Sequence, residues 1–479
     1  MPSSELVTDT DTDSDSEEVE EVDLLVVGGG KAGKSLAMDR ARAGRRVLMV
    51  ERDKIGGTCI NVACIPTKAL VESARTLRLT RRAAEMGVAV EGEPTVALDL
   101  LRRHKETVVA GMVDAHRDMF AESGMDFVLG TARFLAERTV AIDVADGSRR
   151  FVSGVDVVIN TGTSPAVPDI AGLDAAEAWT SETILQLERI PESLLIIGGG
   201  YIGCEFASMF ATFGTAVTIV HGGAQLLPRE DPDVAETVAG ALRSQGVEVR
   251  LGSRAASVDR PIPGGRIIVA MADGSAVEGS DLLVATGRAP VTAELGLDSA
   301  GVEVTEAGFV EVDDHLRTTA PHTWAAGDVT GGMQFTHLSW HDFRVIRENL
   351  SGGDAATTDR LVPYTVFTTP ELARVGLTET EARARGHRVR VATLATAAIP
   401  RAKTARDTVG TWKAVVDGDT DLILGAALFG RDSGEVVTAL QMAMLGGLRY
   451  QQVRDAVITH PTMGEGLNLL FDALGGDDG

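Results

Sequence analysis

Two cysteines at close spacing are the residues of this chain best suited to chemistry. Cys59 and Cys64 have four residues between them, at a point where a helix is expected to begin. One helical turn would bring the thiols close enough for a small-loop disulfide, and a helix N-terminus lowers a thiol pKa. Metal binding would need further Cys or His nearby, and none follows closely. The spacing favours a redox-active disulfide over a metal site or a pair of inert buried thiols.

A glycine-rich turn precedes the cysteines and must help to position them. The apolar run 22–27 is typical of a buried parallel strand, Gly28 to Gly33 has the pattern Gly-x-Gly-x-x-Gly, and a second apolar run ends at Glu51. In such a βαβ unit the glycines admit a pyrophosphate at the helix N-terminus, and the acid bonds a ribose hydroxyl. The predicted dinucleotide contacts are Gly28, Gly30, Lys31, Ala32, Gly33 and Glu51.

The same pattern recurs about 170 residues later. An apolar run at 194–197 leads into a second glycine fingerprint at 198–203, followed by a helical stretch and another apolar run at 216–220. The position that corresponds to Glu51 is His221. Two complete units predict that one chain binds two dinucleotides, whereas turns that serve packing alone are the alternative. The second set of predicted contacts is Gly198, Gly200, Tyr201, Ile202, Gly203 and His221.

Composition excludes several other classes of protein. The 479 residues suggest about three domains, and the formal charge of −24 argues against nucleic-acid binding. Residues 1–21 carry nine acidic side chains and no Lys or Arg, which predicts a disordered acidic tail. The sequence contains no apolar stretch long enough to span a membrane. Three cysteines cannot form a disulfide framework, so a reducing cytoplasm is the expected compartment.

The sequence pattern changes beyond residue 355. Segments 362–368 and 412–416 alternate like antiparallel strands, and 433–448 and 450–457 have helical periodicity. The expected fold is α/β, with two Rossmann-like dinucleotide-binding domains followed by a separate C-terminal α+β domain.

The cysteine segment 56–68 resembles the active-site signature of the class I flavoprotein disulfide reductases, a family that includes lipoamide dehydrogenase, glutathione reductase and mercuric reductase. The resemblance runs from about residue 22 to 471 and includes the motifs 161–165, 285–288, 326–328 and 460–465. It implies bound FAD, NADPH or NADH as coenzyme, and a homodimer. The implied domains are FAD-binding (22–164 and 289–355), NAD(P)-binding (165–288) and C-terminal dimerisation (356–479).

The resemblance also implies roles for individual residues. Cys59 would exchange with substrate, and Cys64 would be the charge-transfer thiolate against the flavin. Lys68 and Glu205 would pair beside flavin N5 on the nicotinamide side. A catalytic dyad of His460 and Glu465 would reach the disulfide of the other subunit, with the carboxylate orienting the imidazole. Further cofactor contacts implied by the motifs are Gly57, Thr58, Thr161, Gly162, Gly287 and Asp328, the last at the FAD ribitol.

Within the family, the segments 327–336 and 459–471 resemble the reactive-chlorine-resistance flavoproteins, which reduce hypothiocyanous acid and Cu(II). The expected substrate is therefore a small oxidant: hypothiocyanous acid, a disulfide or a metal ion. The C-terminal segment has no cysteine, which disfavours mercury reduction. His221 lacks the carboxylate of NADH users, which favours NADPH. No arginine cluster lies beside it in sequence, so NADH stays open. Dihydrolipoamide dehydrogenase, another thiol–disulfide reductase and a non-catalytic flavin-binding scaffold are the alternatives.

Overall fold

The computed structural model describes residues 18–186, 188–358 and 360–474. The first part of the chain contains β1 (Val19–Val27), α1 (Lys31–Arg42), β2 (Val47–Glu51), α2 (Gly57–Asn61), α3 (Cys64–Arg81), α4 (Leu98–Ser123), β3 (Asp126–Ala136), β4 (Thr139–Val144), β5 (Arg149–Ile159) and β6 (Thr163–Pro165). The middle part contains β7 (Trp179–Thr180), β8 (Ser193–Ile197), α5 (Tyr201–Phe213), β9 (Ala216–His221), α6 (Pro232–Ser244), β10 (Glu248–Leu251), β11 (Ala255–Asp259), β12 (Ile267–Met271), β13 (Ala276–Gly279), β14 (Asp281–Val284) and β15 (Arg288–Pro290).

The last part returns to the first sheet and then forms a separate unit. It contains α7 (Leu297–Ala300), β16 (Thr323–Ala325), α8 (Thr336–Asn349), β17 (Tyr364–Val366), β18 (Glu371–Gly376), α9 (Glu379–Ala384), β19 (Val389–Ala395), α10 (Pro400–Thr404), β20 (Thr411–Asp417), β21 (Ile423–Gly430), α11 (Ser433–Leu445), α12 (Tyr450–Arg454) and α13 (Gly466–Asp472).

The first sheet is a parallel Rossmann-like sheet. Strands β3, β2, β1, β5 and β16 lie side by side in that order, and β4 pairs antiparallel with the extensions of β3 and β5. The centre of the sheet is fully buried, as the apolar run predicted: Leu25 and Val26 of β1 are both 0% exposed. Because the carboxyl ends of the parallel strands share one edge, the turn after β1 and the acid at the end of β2 lie together.

The chain enters this sheet earlier than the sequence indicated. The acidic tail was expected to end at Glu21, but β1 begins at Val19, and Val19 to Glu21 pair with residues 151–153 of β5. Glu20 also accepts a hydrogen bond of 2.6 Å from Arg150. The acidic side chains remain exposed while their backbone extends the ladder, so charge alone did not mark the end of the strand. Residues 1–17 of the predicted tail lie outside the described residues.

The second sheet repeats the architecture. Strands β10, β9, β8, β14 and β7 are parallel in that order, with β11, β12 and β13 forming a small antiparallel sheet beside them. Strand β6 pairs with β15, so the two segments that connect the nucleotide units form a two-stranded ribbon. In the part of the chain that the structure describes, no helix is long and apolar enough to cross a membrane.

The C-terminal unit is an antiparallel sheet in the order β17, β18, β21, β20 and β19, covered by helices. Trp412 of β20 and Phe471 of α13 are both 0% exposed in its core. The predicted strands correspond to β17 and β20, and the predicted helices to α11 and α12. Helix α11 ends at Leu445 rather than Leu448 because two glycines follow, the second at φ +64°. The predicted fold class is confirmed.

Candidate active site

A cavity of about 660 Å³ opens at the carboxyl edge of the first sheet. Nine of the predicted cofactor contacts line it: Gly28, Gly30, Lys31, Glu51, Gly57, Thr58, Thr161, Gly162 and Asp328. The Glu51 Oε2 atom accepts the Gly29 N–H at 2.8 Å, which holds the carboxylate over the glycine turn. Burial raises the pKa of Asp328, whose carboxylate also accepts a hydrogen bond of 3.3 Å from Thr163.

The floor of this cavity has no room for side chains at the glycine turn. A Cβ atom at Gly28, where φ is +103°, would lie 2.4 Å from the Asn160 carbonyl oxygen, and one at Gly30 would lie 2.5 Å from Asn160 Oδ1. Asn160 itself accepts the Gly33 N–H at 2.9 Å. Sequence reasoning missed Asn160, although it directly precedes the Thr161-Gly162 motif. A bare backbone at a helix N-terminus fits a pyrophosphate, so the cavity is suited to FAD.

Two residues predicted to contact the first dinucleotide lie behind the cavity wall. Ala32 is 1% exposed, and its N–H donates to Ser339 Oγ at 3.1 Å. A Cβ atom at Gly33 would lie 2.4 Å from the Gly28 carbonyl oxygen. Gly203 in the second unit is equivalent, since its Cβ would lie 2.1 Å from the Gly198 carbonyl. These positions let the helix pack closely against the strand rather than line the cavity.

The two cysteines lie on different helices, not on one continuous turn as expected. Cys59 is in α2, and Cys64 is the first residue of α3, with the chain redirected at Val62 and Ala63. Ala63 has φ −140°, so its methyl group requires no left-handed backbone. The Asn61 amide donates to the Ile55 and Gly57 carbonyls, both at 2.9 Å, and fixes the preceding turn. Cys59 nevertheless donates a hydrogen bond to Cys64, and it lines the cavity.

The thiol pair is polarised toward Cys64. The hydrogen bond from Cys59 lowers the pKa of Cys64 to about 6, with further contributions from Thr336 and the Lys68 ammonium. The same hydrogen bond, together with burial, raises the pKa of Cys59. Thr336 Oγ1 lies 3.4 Å from Cys64 Sγ, a contact that sequence reasoning did not identify. At neutral pH the reduced pair therefore holds its negative charge on Cys64.

Lys68 and Glu205 form an ion pair that joins the two nucleotide units. Lys68 Nζ of α3 donates to Glu205 Oε2 of α5 at 2.7 Å, and the Glu205 side chain is only 5% exposed. The other Glu205 oxygen accepts the Phe367 N–H at 2.9 Å. The Phe367 ring also lies 4.8 Å from Lys68 Nζ. The structure thus brings together two residues that are 137 apart in sequence.

A second cavity, of about 630 Å³, opens at the equivalent edge of the second sheet. The predicted contacts that line it are Gly198, Gly200, Tyr201, Ile202, His221 and Gly287. His221 Nδ1 accepts the Gly199 N–H at 3.2 Å and so takes the place that Glu51 has in the first unit. Arg254 also lines this cavity, although no arginine cluster lies beside His221 in sequence. It follows β10, far from the fingerprint in sequence, so no motif marked it.

His460 and Glu465 form a dyad on the surface of the C-terminal unit. His460 Nδ1 and Glu465 Oε2 are 2.7 Å apart, and the His460 side chain is 68% exposed. Among the described residues, His460 has no hydrogen bond to Cys59 or Cys64 of its own chain. The structure assembles the dyad but does not bring it to the cysteines within one chain.

The third cysteine lies in the protein core. Cys204 is 0% exposed in the core beneath the second cavity, and burial raises its pKa to about 12, as expected for a packing residue. Residues 18–186, 188–358 and 360–474 contain no cluster of three or more His, Cys, Asp or Glu side chains able to hold a metal ion.

Known proteins of one family resemble this chain in sequence. Residues 22–342 match the family model described as pyridine nucleotide-disulphide oxidoreductase, and residues 362–470 match the dimerisation domain of that family. The probable pyridine nucleotide-disulfide oxidoreductase RclA of Escherichia coli (strain K12) is 41% identical over 94% of this chain and 98% of its own length. A mercuric reductase of Lysinibacillus sphaericus is 34% identical over 94% of this chain and 82% of its own.

A solved structure shows the same architecture. The Cu(II) complex of the HOCl-induced flavoprotein disulfide reductase RclA from Escherichia coli superposes with a TM-score of 0.87 at 39% identity, covering 95% of this chain and 99% of that chain. The family is FAD-dependent and uses NAD(P)H, in agreement with two dinucleotide cavities and a cysteine pair at the first of them. This chain belongs to the pyridine nucleotide-disulphide oxidoreductases.

Proposed function

We propose that this enzyme passes electrons from NAD(P)H to a small oxidant through Cys59 and Cys64, in a reducing cytoplasm. The oxidant is hypothiocyanous acid, a low-molecular-weight disulfide or a metal ion such as Cu(II). The polarised thiol pair carries this proposal: the pKa of Cys64 is lowered to about 6, and Thr336, whose Oγ1 lies 3.4 Å from Cys64 Sγ, lines the first cavity. A solved structure of the relative named RclA is a Cu(II) complex, which supports a metal ion as one candidate substrate.

The reduction divides into steps with separate residues. FAD, when bound, supplies two-electron transfer from the coenzyme to the Cys59–Cys64 disulfide. Cys59 then attacks the sulfur of hypothiocyanous acid, which forms a Cys59–SCN bond and releases hydroxide that takes up a proton. The Cys64 thiolate attacks Cys59 Sγ, which restores the disulfide and releases thiocyanate. A substrate disulfide follows the same sequence and leaves as two thiols.

The proposed roles of the charged pairs follow from where their side chains lie. Lys68 and Glu205 link α3, which begins with Cys64, to α5, which begins at the second cavity, so they hold charge between the two sites. His460 supplies the proton that the leaving thiolate requires, and Glu465 orients its imidazole. Since His460 is exposed and does not bond its own cysteines, we assign it to the cysteine pair of a second subunit.

A homodimer is consistent with the surface of the C-terminal unit. Exposed apolar side chains lie on and around α11 and before the dyad: Met442, Leu445 and Val457 are 53%, 60% and 104% exposed. The family model that matches this unit is a dimerisation domain. Covering such side chains is a usual reason for association.

Turnover of an oxidant panel tests the proposed substrate class. The FAD-loaded enzyme is assayed with hypothiocyanous acid, glutathione disulfide, Cu(II) and lipoamide, each with NADPH and with NADH. We expect at least one of the first three to exceed lipoamide in kcat/KM by about tenfold or more. If lipoamide with NADH turned over faster than any of the three oxidants, the protein would instead be a dihydrolipoamide dehydrogenase.

The charge on Cys64 should be visible in the absorption spectrum. Two-electron reduction of the yellow FAD-loaded protein is expected to give an orange-red colour, because the Cys64 thiolate then lies against the flavin. A thiolate exists only above its pKa, so the long-wavelength band should fade as the pH falls through about 6. Cys64→Ser should abolish it, and Cys204→Ser, in the buried core, should leave it unchanged. A band that survives in Cys64→Ser would refute the assignment.

A further inference from the structure

Among the described residues, no acidic side chain lines the second cavity. None of the residues that line it is Asp or Glu, although the chain carries 69 acidic residues against 45 basic ones. Two arginines, Arg254 and Arg288, face it instead. The first cavity differs, since Glu51, Asp53, Glu182, Glu294 and Asp328 all line it. The second site is therefore the better suited of the two to a ligand with additional negative charge.

Arg254 lies at the end of the cavity where the ribose of a dinucleotide would be expected. It precedes β11, and its Cγ would lie 2.5 Å from a Cβ atom at Gly222, so the side chain crosses the turn that follows His221. The residue is exposed, and its guanidinium has no hydrogen bond or ion pair to any side chain within the described residues. Nearby Arg250, in contrast, is paired with Glu248 at 2.6 Å.

His221 occupies the position at which a carboxylate, like that of Glu51 in the first unit, would repel a phosphate. In the first unit the Glu51 carboxylate accepts the Gly29 N–H and is available to a ribose hydroxyl. In the second unit the His221 ring accepts the equivalent N–H through Nδ1, which leaves the proton of the neutral ring on Nε2. His221 Nε2 is buried without a hydrogen-bond partner among the described residues. The position thus carries no negative charge that would repel a phosphate.

We propose that Arg254 binds the 2′-phosphate of NADPH and, with His221 in place of an acid, makes NADPH the preferred coenzyme. This inference rests on the proposed use of a nicotinamide coenzyme and specifies which one. A guanidinium presents two parallel N–H donors that match a phosphate, and an arginine near this strand end accommodates the 2′-phosphate in dinucleotide folds. The ribose hydroxyl of NADH offers Arg254 no charge to bind.

Binding of coenzyme fragments to the FAD-loaded enzyme tests the inference without turnover. Isothermal titration calorimetry would compare 2′,5′-ADP with 5′-AMP, which differ at the 2′ position only. We expect Arg254→Ala to weaken the binding of 2′,5′-ADP about 10- to 100-fold, because a charge-assisted pair is lost. The affinity for 5′-AMP should change by less than about twofold. Arg254→Lys should restore part of the affinity. Arg250→Ala, at a paired arginine outside the cavity, should change neither ligand.

Steady-state kinetics supply the second readout. Arg254→Ala should raise the KM for NADPH and leave the KM for NADH unchanged. His221→Glu should further lower the ratio of kcat/KM with NADPH to kcat/KM with NADH. Equal affinity of the wild-type enzyme for the two fragments, or equal loss of both in Arg254→Ala, would overturn the inference. If 2′,5′-ADP binding depends on Arg254 but no oxidant is reduced, the proposed substrate class fails and the coenzyme assignment stands.

Discussion

Replacing Cys59 by Ser is expected to abolish reduction of hypothiocyanous acid and of disulfides while flavin reduction by the coenzyme continues at close to its original rate. In the proposed mechanism substrate meets Cys59, because the Cys64 thiolate is assigned to the flavin. A serine hydroxyl cannot form the sulfur–sulfur bond, so the loss should reach at least about 10³-fold. The coenzyme is proposed to enter from the second cavity, and Cys59 is not among the residues that line it.

Stopped-flow spectroscopy separates the two half-reactions. The flavin absorbance of Cys59→Ser is followed after mixing with NADPH, and in a second experiment the reduced protein is mixed with oxidant. Cys204→Ser is the matched control, because that thiol is 0% exposed and lies outside both cavities. Slow flavin reduction in Cys59→Ser, with either coenzyme, would show that the two half-reactions are not separated by residue.

The nucleotide units were predictable because their signals are local. A buried strand, a glycine turn and a helix lie within about twenty residues, and both periodicity and turn chemistry indicate the same structure. The function of individual glycines within a unit was less predictable. Gly30 faces the cavity, whereas Gly33 packs against the carbonyl of Gly28, and only the relative position of helix and strand distinguishes the two.

The misjudged features depend on contacts between distant segments. The start of β1 at Val19 follows from its register with Phe151, and an acidic composition at Glu20 and Glu21 does not reveal a partner strand. The break between α2 and α3 likewise has no proline or glycine at Val62 or Ala63 to mark it.

Side chains that enter a site from another element are equally hidden from sequence. Arg254 reaches the second cavity from the turn before β11, and Thr336 reaches Cys64 from α8, 272 residues away. Neither belongs to a local motif of the unit it serves. By contrast, the pairing of Lys68 with Glu205 is predictable from sequence, because each residue adjoins a recognisable motif.

Removal of the His460 imidazole should slow the thiol half-reaction. His460→Ala is expected to reduce its rate by roughly 10²–10⁴-fold with a disulfide substrate, the usual contribution of a positioned acid–base group. Glu465→Gln should cause a smaller loss, since the imidazole remains and only its carboxylate partner, 2.7 Å from Nδ1, is neutralised. Cu(II) needs no proton from the enzyme, so the loss should be smallest with that oxidant. An equal loss for every oxidant would argue that His460 has a structural role.

A mixed dimer shows which subunit His460 serves. His460→Ala and Cys59→Ser each inactivate disulfide reduction, and co-expression with two affinity tags allows the heterodimer to be isolated. If His460 acts across a twofold interface, the heterodimer contains one complete site and one that lacks both groups, and it should recover about half of the wild-type activity. If His460 acts within its own chain, both sites are defective and activity stays at the level of the single variants. The 68% exposure of the His460 side chain in the isolated chain leads us to expect recovery.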